Sequence, residues 1–166
     1  MLKTVNQNII NYCSQNSLTI ATAESLTGGL VGASLVDISG ASAVYKGTVT
    51  AYDLAIKENI LNISKDVIKE DAVNSETAFL MAKNVSELMD SDIGVSTTGI
   101  AEMYDDRPKQ AYICIYNRKD DSYKELHLVI DDSNYEFPLD RNTVREQVVE
   151  YVQAQVLCFL VPDLCE

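Results

Sequence analysis

The chain has 166 residues, 46% of them hydrophobic, which suits one domain over residues 1–166 with a sizeable core. Thirteen basic against twenty-five acidic side chains give a net charge of -12, which repels a phosphate backbone and argues against nucleic acid as a partner. No run of about 18 apolar residues could span a membrane, and the N-terminus is too polar for a signal peptide, so a cytoplasmic protein with no membrane contact is expected.

In chain order, Val5, Ile9, Ile10 and Cys13 recur at helical spacing, predicting an amphipathic helix over 3–15 that ends at Asn16 and Ser17. The apolar run 18–23 predicts a buried strand. It runs directly into the turn Glu24-Ser25-Leu26-Thr27-Gly28-Gly29 and a small-residue helix over 30–35. Residues 44–52, rich in β-branched and aromatic types, predict a second strand, and Asp53 caps a short helix to Leu61. Asn74 caps a longer helix on which Ala78, Met81, Ala82, Val85, Leu88 and Met89 form one face. Strands over 93–97, 111–116 and 125–130 follow, the last two joined by a turn over 117–122. A final helix places Val144, Val148, Val152 and Val156 at every fourth position. Helix and strand alternate, then a hairpin and a helix close the chain. That order predicts an α/β fold, a three-layer α/β/α arrangement around a central mixed sheet.

Cys13, Cys114, Cys158 and Cys165 have no Cys-x-x-Cys spacing, and the first three lie in apolar segments. The expectation is no disulfide and no zinc. His127, alone in an apolar strand, reads as structural, and the pairs Asp105-Asp106 and Asp131-Asp132 read as turn residues, so no metal site is assigned.

Ligands of open α/β sheets collect at the carboxyl ends of strands, which directs attention to the turns after 18–23 and 93–97. The first leaves a strand and enters a helix, aiming backbone N–H groups and the positive helix end at whatever lies above, an arrangement that favours a small anion. Glu24, Ser25, Thr27, Gly28 and Gly29 are its candidates. The turn is neither a P-loop, since no Gly-Lys-Ser/Thr follows, nor a Gly-x-Ser-x-Gly elbow, since Glu24 and Leu26 flank the serine. An ordinary capped turn with a glycine pair would read the same way.

The run Ala23-Glu24-Ser25-Leu26-Thr27-Gly28-Gly29 resembles the Ala-Glu-Ser-Cys-Thr-Gly-Gly signature of the CinA C-terminal domain family. Further matches follow in order: Ser42-Ala43-Val44-Tyr45-Lys46-Gly47, Tyr52 with Lys57, Ala72-Val73, Thr98-Gly99-Ile100-Ala101, and Asp140-Arg141 with Arg145. The resemblance implies a nicotinamide-nucleotide amidase that converts the carboxamide of nicotinamide mononucleotide to the acid and ammonia without a cofactor. It also implies a small anionic nucleotide-like ligand and a homodimer or larger assembly. On this resemblance Ser25 is the nucleophile, Lys57 its base and Tyr52 a polarising group. Thr98 and Gly99 line the pocket with the turn residues, and Arg141 and Arg145 clamp the substrate phosphate. Taken without the resemblance, Lys57 on a short helix would be solvated, Tyr52 a core aromatic, Thr98 a satisfied strand-end hydroxyl, and the two arginines partners of nearby acids.

The chain departs from the family after Ala101. Where the family continues Gly-Pro-Gly-Gly, this sequence reads Glu102-Met103-Tyr104-Asp105-Asp106-Arg107-Pro108. The side chains restrict φ and fill space, the acids oppose a phosphate, and Arg107 is the one residue able to restore a phosphate contact. Leu26 replaces the signature Cys, and Lys109-Gln110-Ala111 replaces Pro-Val-Gly. Two functions fit this mixture: an amidase with an altered substrate or weak turnover, or a CinA-like binding or regulatory protein that has lost turnover.

Overall fold

A computed structural model describes residues 2–68, 71–103 and 105–164. Five strands form one mixed sheet in the order β2-β1-β3-β4-β5. They are β1 (Ile20–Glu24), β2 (Tyr45–Thr50), β3 (Ile93–Ile100), β4 (Gln110–Asn117) and β5 (Ser122–Val129). β1 runs parallel to both β2 and β3, while β3-β4 and β4-β5 are antiparallel.

The period-2 pleat sorts the core between two faces. Ile20, Ile93, Val95, Ile113 and Ile115 face one way and pack with α1 (Leu2–Gln15), α2 (Leu30–Val36) and α5 (Arg141–Leu160). Ala21 and Ala23 face the other way with Met81 and Val85 of α4 (Ser75–Leu88), together with Leu61 and Ile63 after α3 (Leu54–Asn59). Helices therefore cover both faces, as the three-layer expectation requires. At Gly94 the approach of α4 is so close that a Cβ would lie 1.9 Å from the Ala82 carbonyl oxygen, so the strand needs glycine there.

All five β1 residues are buried, as suits a strand flanked on both sides and covered on both faces. The chain leaves β1 through α2 toward β2, then returns past β1 to β3 through α4 on the opposite face. The strand order thus reverses at β1, which opens a crevice at the carboxyl ends of β1 and β3.

Some expectations shift. The strand expected over 44–52 spans only Tyr45–Thr50, because Ala41–Ala43 forms a 3₁₀ turn closed by Val44, and Ala51 and Tyr52 leave the sheet toward α3. β5 begins earlier than expected, since Asn117 pairs directly with Ser122 across a tight hairpin. The expectation of no disulfide is corrected: Cys13 and Cys114 are free and buried, but Cys158 is disulfide-bonded. Cys158 lies two positions past Val156, about 200° round the helix from the buried stripe, so it is only partly covered. Cys165 lies outside the described residues. His127 stacks on Tyr112 with centroids 4.2 Å apart and bonds Gln110, in keeping with a structural role.

Candidate functional site

Ser25 follows β1 directly. Its N–H donates to the Thr97 carbonyl at 2.8 Å, and the Ala51 N–H donates to the Glu24 carbonyl at 2.8 Å, so the ends of β3 and β2 hold the residue from both sides. Three residues separate the end of β2 from α3, and the Asp53 carboxyl caps the helix by accepting from the Ala55 N–H at 2.7 Å. This short helix is turned inward at Lys57, which is 1% exposed. The amine lies 3.2 Å from Ser25 Oγ and donates to the Ala51 carbonyl at 2.5 Å. Burial pushes the Lys57 pKa down from its ordinary value, against a smaller opposing pull from Asp53. In its neutral form the amine can donate one hydrogen to the Ala51 carbonyl and still turn a lone pair toward the Ser25 hydroxyl. The solvated reading of Lys57 does not hold.

The turn differs from its expected use. The positive end of α2 is not open to a ligand, because Glu24 fills it. Glu24 is 0% exposed, and its Oε2 accepts from the N–H groups of Gly29 at 2.9 Å and Val31 at 3.1 Å and from the Thr27 hydroxyl at 2.7 Å. Oε1 accepts from the Gly32 N–H at 2.8 Å and from the hydroxyls of Thr22 and Thr48. The anion this helix end favours is therefore the chain's own carboxyl group. Glu24, Thr27 and Gly29, expected as ligand contacts, are joined to one another in this network. The N–H groups of Leu26 and Thr27, just after Ser25, make none of the turn's hydrogen bonds.

A cavity of about 360 Å³ opens at Ser25. Lys57, Tyr52, Gly99 and Arg141 line it, as expected from sequence, together with Arg107 and Glu102 of the divergent loop. Tyr52, 61% exposed, receives a hydrogen bond on its hydroxyl from Arg141 at 2.6 Å. Thr98 does not reach the cavity. It is buried, and its hydroxyl donates to the Ala72 carbonyl at 2.9 Å, since alternation along β3 turns it away from the face that Gly99 presents.

Arg145, expected as a second phosphate clamp, does not line the cavity. Its guanidinium donates to the carbonyls of Leu26 at 2.9 Å and Thr27 at 3.0 Å and to Asn142 at 3.2 Å, pinning α5 to the Ser25 turn. A Cβ at Gly28, where φ is +63°, would come within 3.0 Å of that guanidinium. The absence of a side chain at Gly28 thus leaves room for the guanidinium against the turn. Sequence reasoning missed Asp71, which lines the cavity, accepts from the Val73 N–H at 3.1 Å and ion-pairs with Arg107. Its only signal was an acid ahead of the Ala72-Val73 match.

The divergent loop keeps left-handed backbone without glycine. Asp105 and Asp106 have φ of 47° and 60°, a region that Asp tolerates better than most residues. Tyr104 lies outside the described residues. Lys109, 6% exposed, donates to the Leu139 carbonyl at 2.7 Å and ion-pairs with Asp132, tying the end of this loop to the segment that leads into α5.

The profile of the CinA C-terminal domain matches residues 2–160. The chain is 44% identical over 125 residues to a "CinA-like protein" of Dictyoglomus thermophilum, covering 72% of this chain and 30% of that protein. A "CinA-like protein" of Dictyoglomus turgidum is 41% identical over 125 residues, covering 72% of this chain and 30% of that protein. The chain thus spans under a third of the length of these curated relatives. Among solved structures, the competence/damage inducible protein CihA from Agrobacterium tumefaciens superposes with a TM-score of 0.85 at 22% identity, covering 95% of this chain and 94% of that one. A CinA superfamily protein from Escherichia coli superposes at 0.84 and 20% identity, covering 96% and 90%. At that identity the structures speak for the fold, and with the profile match they lead to one conclusion: the chain belongs to the CinA C-terminal domain family.

Proposed function

We propose that the chain is an amidohydrolase of Ser-Lys type that releases ammonia from a small carboxamide related to that of nicotinamide mononucleotide. The observation that supports it most is the buried Lys57 amine 3.2 Å from Ser25 Oγ at the floor of a cavity. As Ser25 Oγ adds to the carboxamide carbon, the neutral Lys57 amine takes the hydroxyl proton. Charge that develops on the carboxamide oxygen is met by the N–H of Leu26, which lines the cavity next to Ser25. The C–N bond then breaks, and Lys57 returns the proton to the leaving nitrogen, which departs as ammonia. Water, with Lys57 again as base, hydrolyses the resulting Ser25 ester to the carboxylic acid.

Hydroxylamine tests this route, because it intercepts an ester at Ser25. Wild-type protein turning over the amide should form a hydroxamic acid at the expense of the carboxylic acid, and Ser25→Ala should form neither. Acid that forms with no hydroxamate at any hydroxylamine concentration would argue for direct attack by water. A second reading, a family member that binds its ligand without turnover, draws on the loop at 102–108, whose Glu102 enters the cavity. It predicts saturable ligand binding with no ammonia.

A further inference from the structure

The places around the cavity that would ordinarily hold a phosphate are already answered by carboxyl groups of the chain. Glu24 fills the N-terminus of α2. Asp140 caps α5, accepting from the N–H groups of Asn142 and Thr143. The two cavity arginines are also met by acids: Arg107 is ion-paired with Asp71, and Arg141 lies 3.7 Å from the Glu102 carboxylate while it also bonds Tyr52. Apart from Lys57 at the floor, those two positive and two negative walls cancel, within a chain of net charge -12. A phosphate dianion would compete with the Asp71 and Glu102 carboxylates for these arginines and sit beside them, a like-charge contact that disfavours it. A sugar hydroxyl or a ring cation would instead find acceptors in Asp71 and Glu102, with apolar cover from Val73, Ile100 and Met103.

We infer, resting on the amidase reading, that the cavity selects a carboxamide on a carrier without a phosphate, neutral or cationic and of nucleoside size, with Glu102 setting the selectivity. A volume of about 360 Å³ is enough for such a ligand.

The test pairs nicotinamide riboside with nicotinamide mononucleotide, measuring ammonia release and, by calorimetry, binding to the wild-type protein. The riboside should be favoured over the mononucleotide by about tenfold or more in kcat/KM and in affinity. Glu102→Gln, an exposed loop change, should narrow that ratio by about threefold or more. If the riboside binds more tightly but no ammonia forms, the selectivity stands and the amidase reading falls. Equal or better binding of the mononucleotide, binding of neither compound, or a ratio unmoved by Glu102→Gln would overturn the inference.

Discussion

Lys57 carries most of the chemical argument, and its titration gives the first prediction. Burial lowers its folded pKa below the ordinary 10.5, so the neutral, proton-accepting form is populated at lower pH than for a free lysine. Turnover should rise with pH along a limb whose midpoint lies below 10.5. Lys57→Gln should lose that limb and at least about a hundredfold in kcat. A pH–rate profile on both proteins checks this, and an identical limb in the variant would assign it to another group. The stability linkage has the same origin. Between the folded pKa and 10.5 the unfolded chain binds more protons than the folded one, so stability gained from this group rises with pH across that window. The Tm of the wild type relative to Lys57→Met should therefore improve as pH is raised toward 10.5. At the same scale, legibility from sequence was uneven. Motif matches led to Ser25 and Lys57, but composition and helical periodicity alone put Lys57 in solvent, because nothing local reveals that a short helix is turned inward. Thr98 was misplaced by one step of strand alternation, and only the register with β4 decides which face it takes.

At the scale of elements, the turn between β1 and α2 is held by two residues that need not touch a ligand. Both Glu24 oxygens accept, Oε1 from Gly32 and Oε2 from Gly29 and Val31. Glu24→Gln must therefore point its NH₂ at backbone donors whichever way it is placed. The expected cost is about 2 kcal/mol or more, visible as a lower denaturation midpoint at unchanged m-value. A variant as stable as wild type would show that the network can rearrange. Arg145 ties α5 to the same turn through the Leu26 and Thr27 carbonyls. Arg145→Ala should lower kcat while leaving KM within about twofold, since the residue acts on the turn and not on bound substrate. A large rise in KM instead would return it to the role of substrate clamp. The helix N-terminus signal was correctly located in the sequence, but its occupant was not legible there. An acid just before such a turn can face solvent or fold back onto the helix end, and only packing decides.

At the scale of the whole molecule, the order of strands and helices was readable because each core face has its own period. Period 2 sorts β1 and β3 between two helical layers, and period 3.6 keeps Val144, Val148, Val152 and Val156 of α5 buried. The disulfide at Cys158 was not readable, because an apolar segment on a helix still has an outward side. Exposed apolar side chains remain, among them Val36 at 62%, Met103 at 68% and Phe137 at 74%. We expect the protein to assemble as a homodimer or larger, and light scattering showing a monomer at working concentration would refute it.

Ammonia release from nicotinamide riboside and nicotinamide mononucleotide, by wild-type protein and by Ser25→Ala, tests the role of Ser25 most directly. The wild type should release ammonia, weakly from the mononucleotide, and Ser25→Ala should fall by at least about a thousandfold or to the uncatalysed rate. Ammonia released equally by both proteins, or by neither, would contradict the assignment.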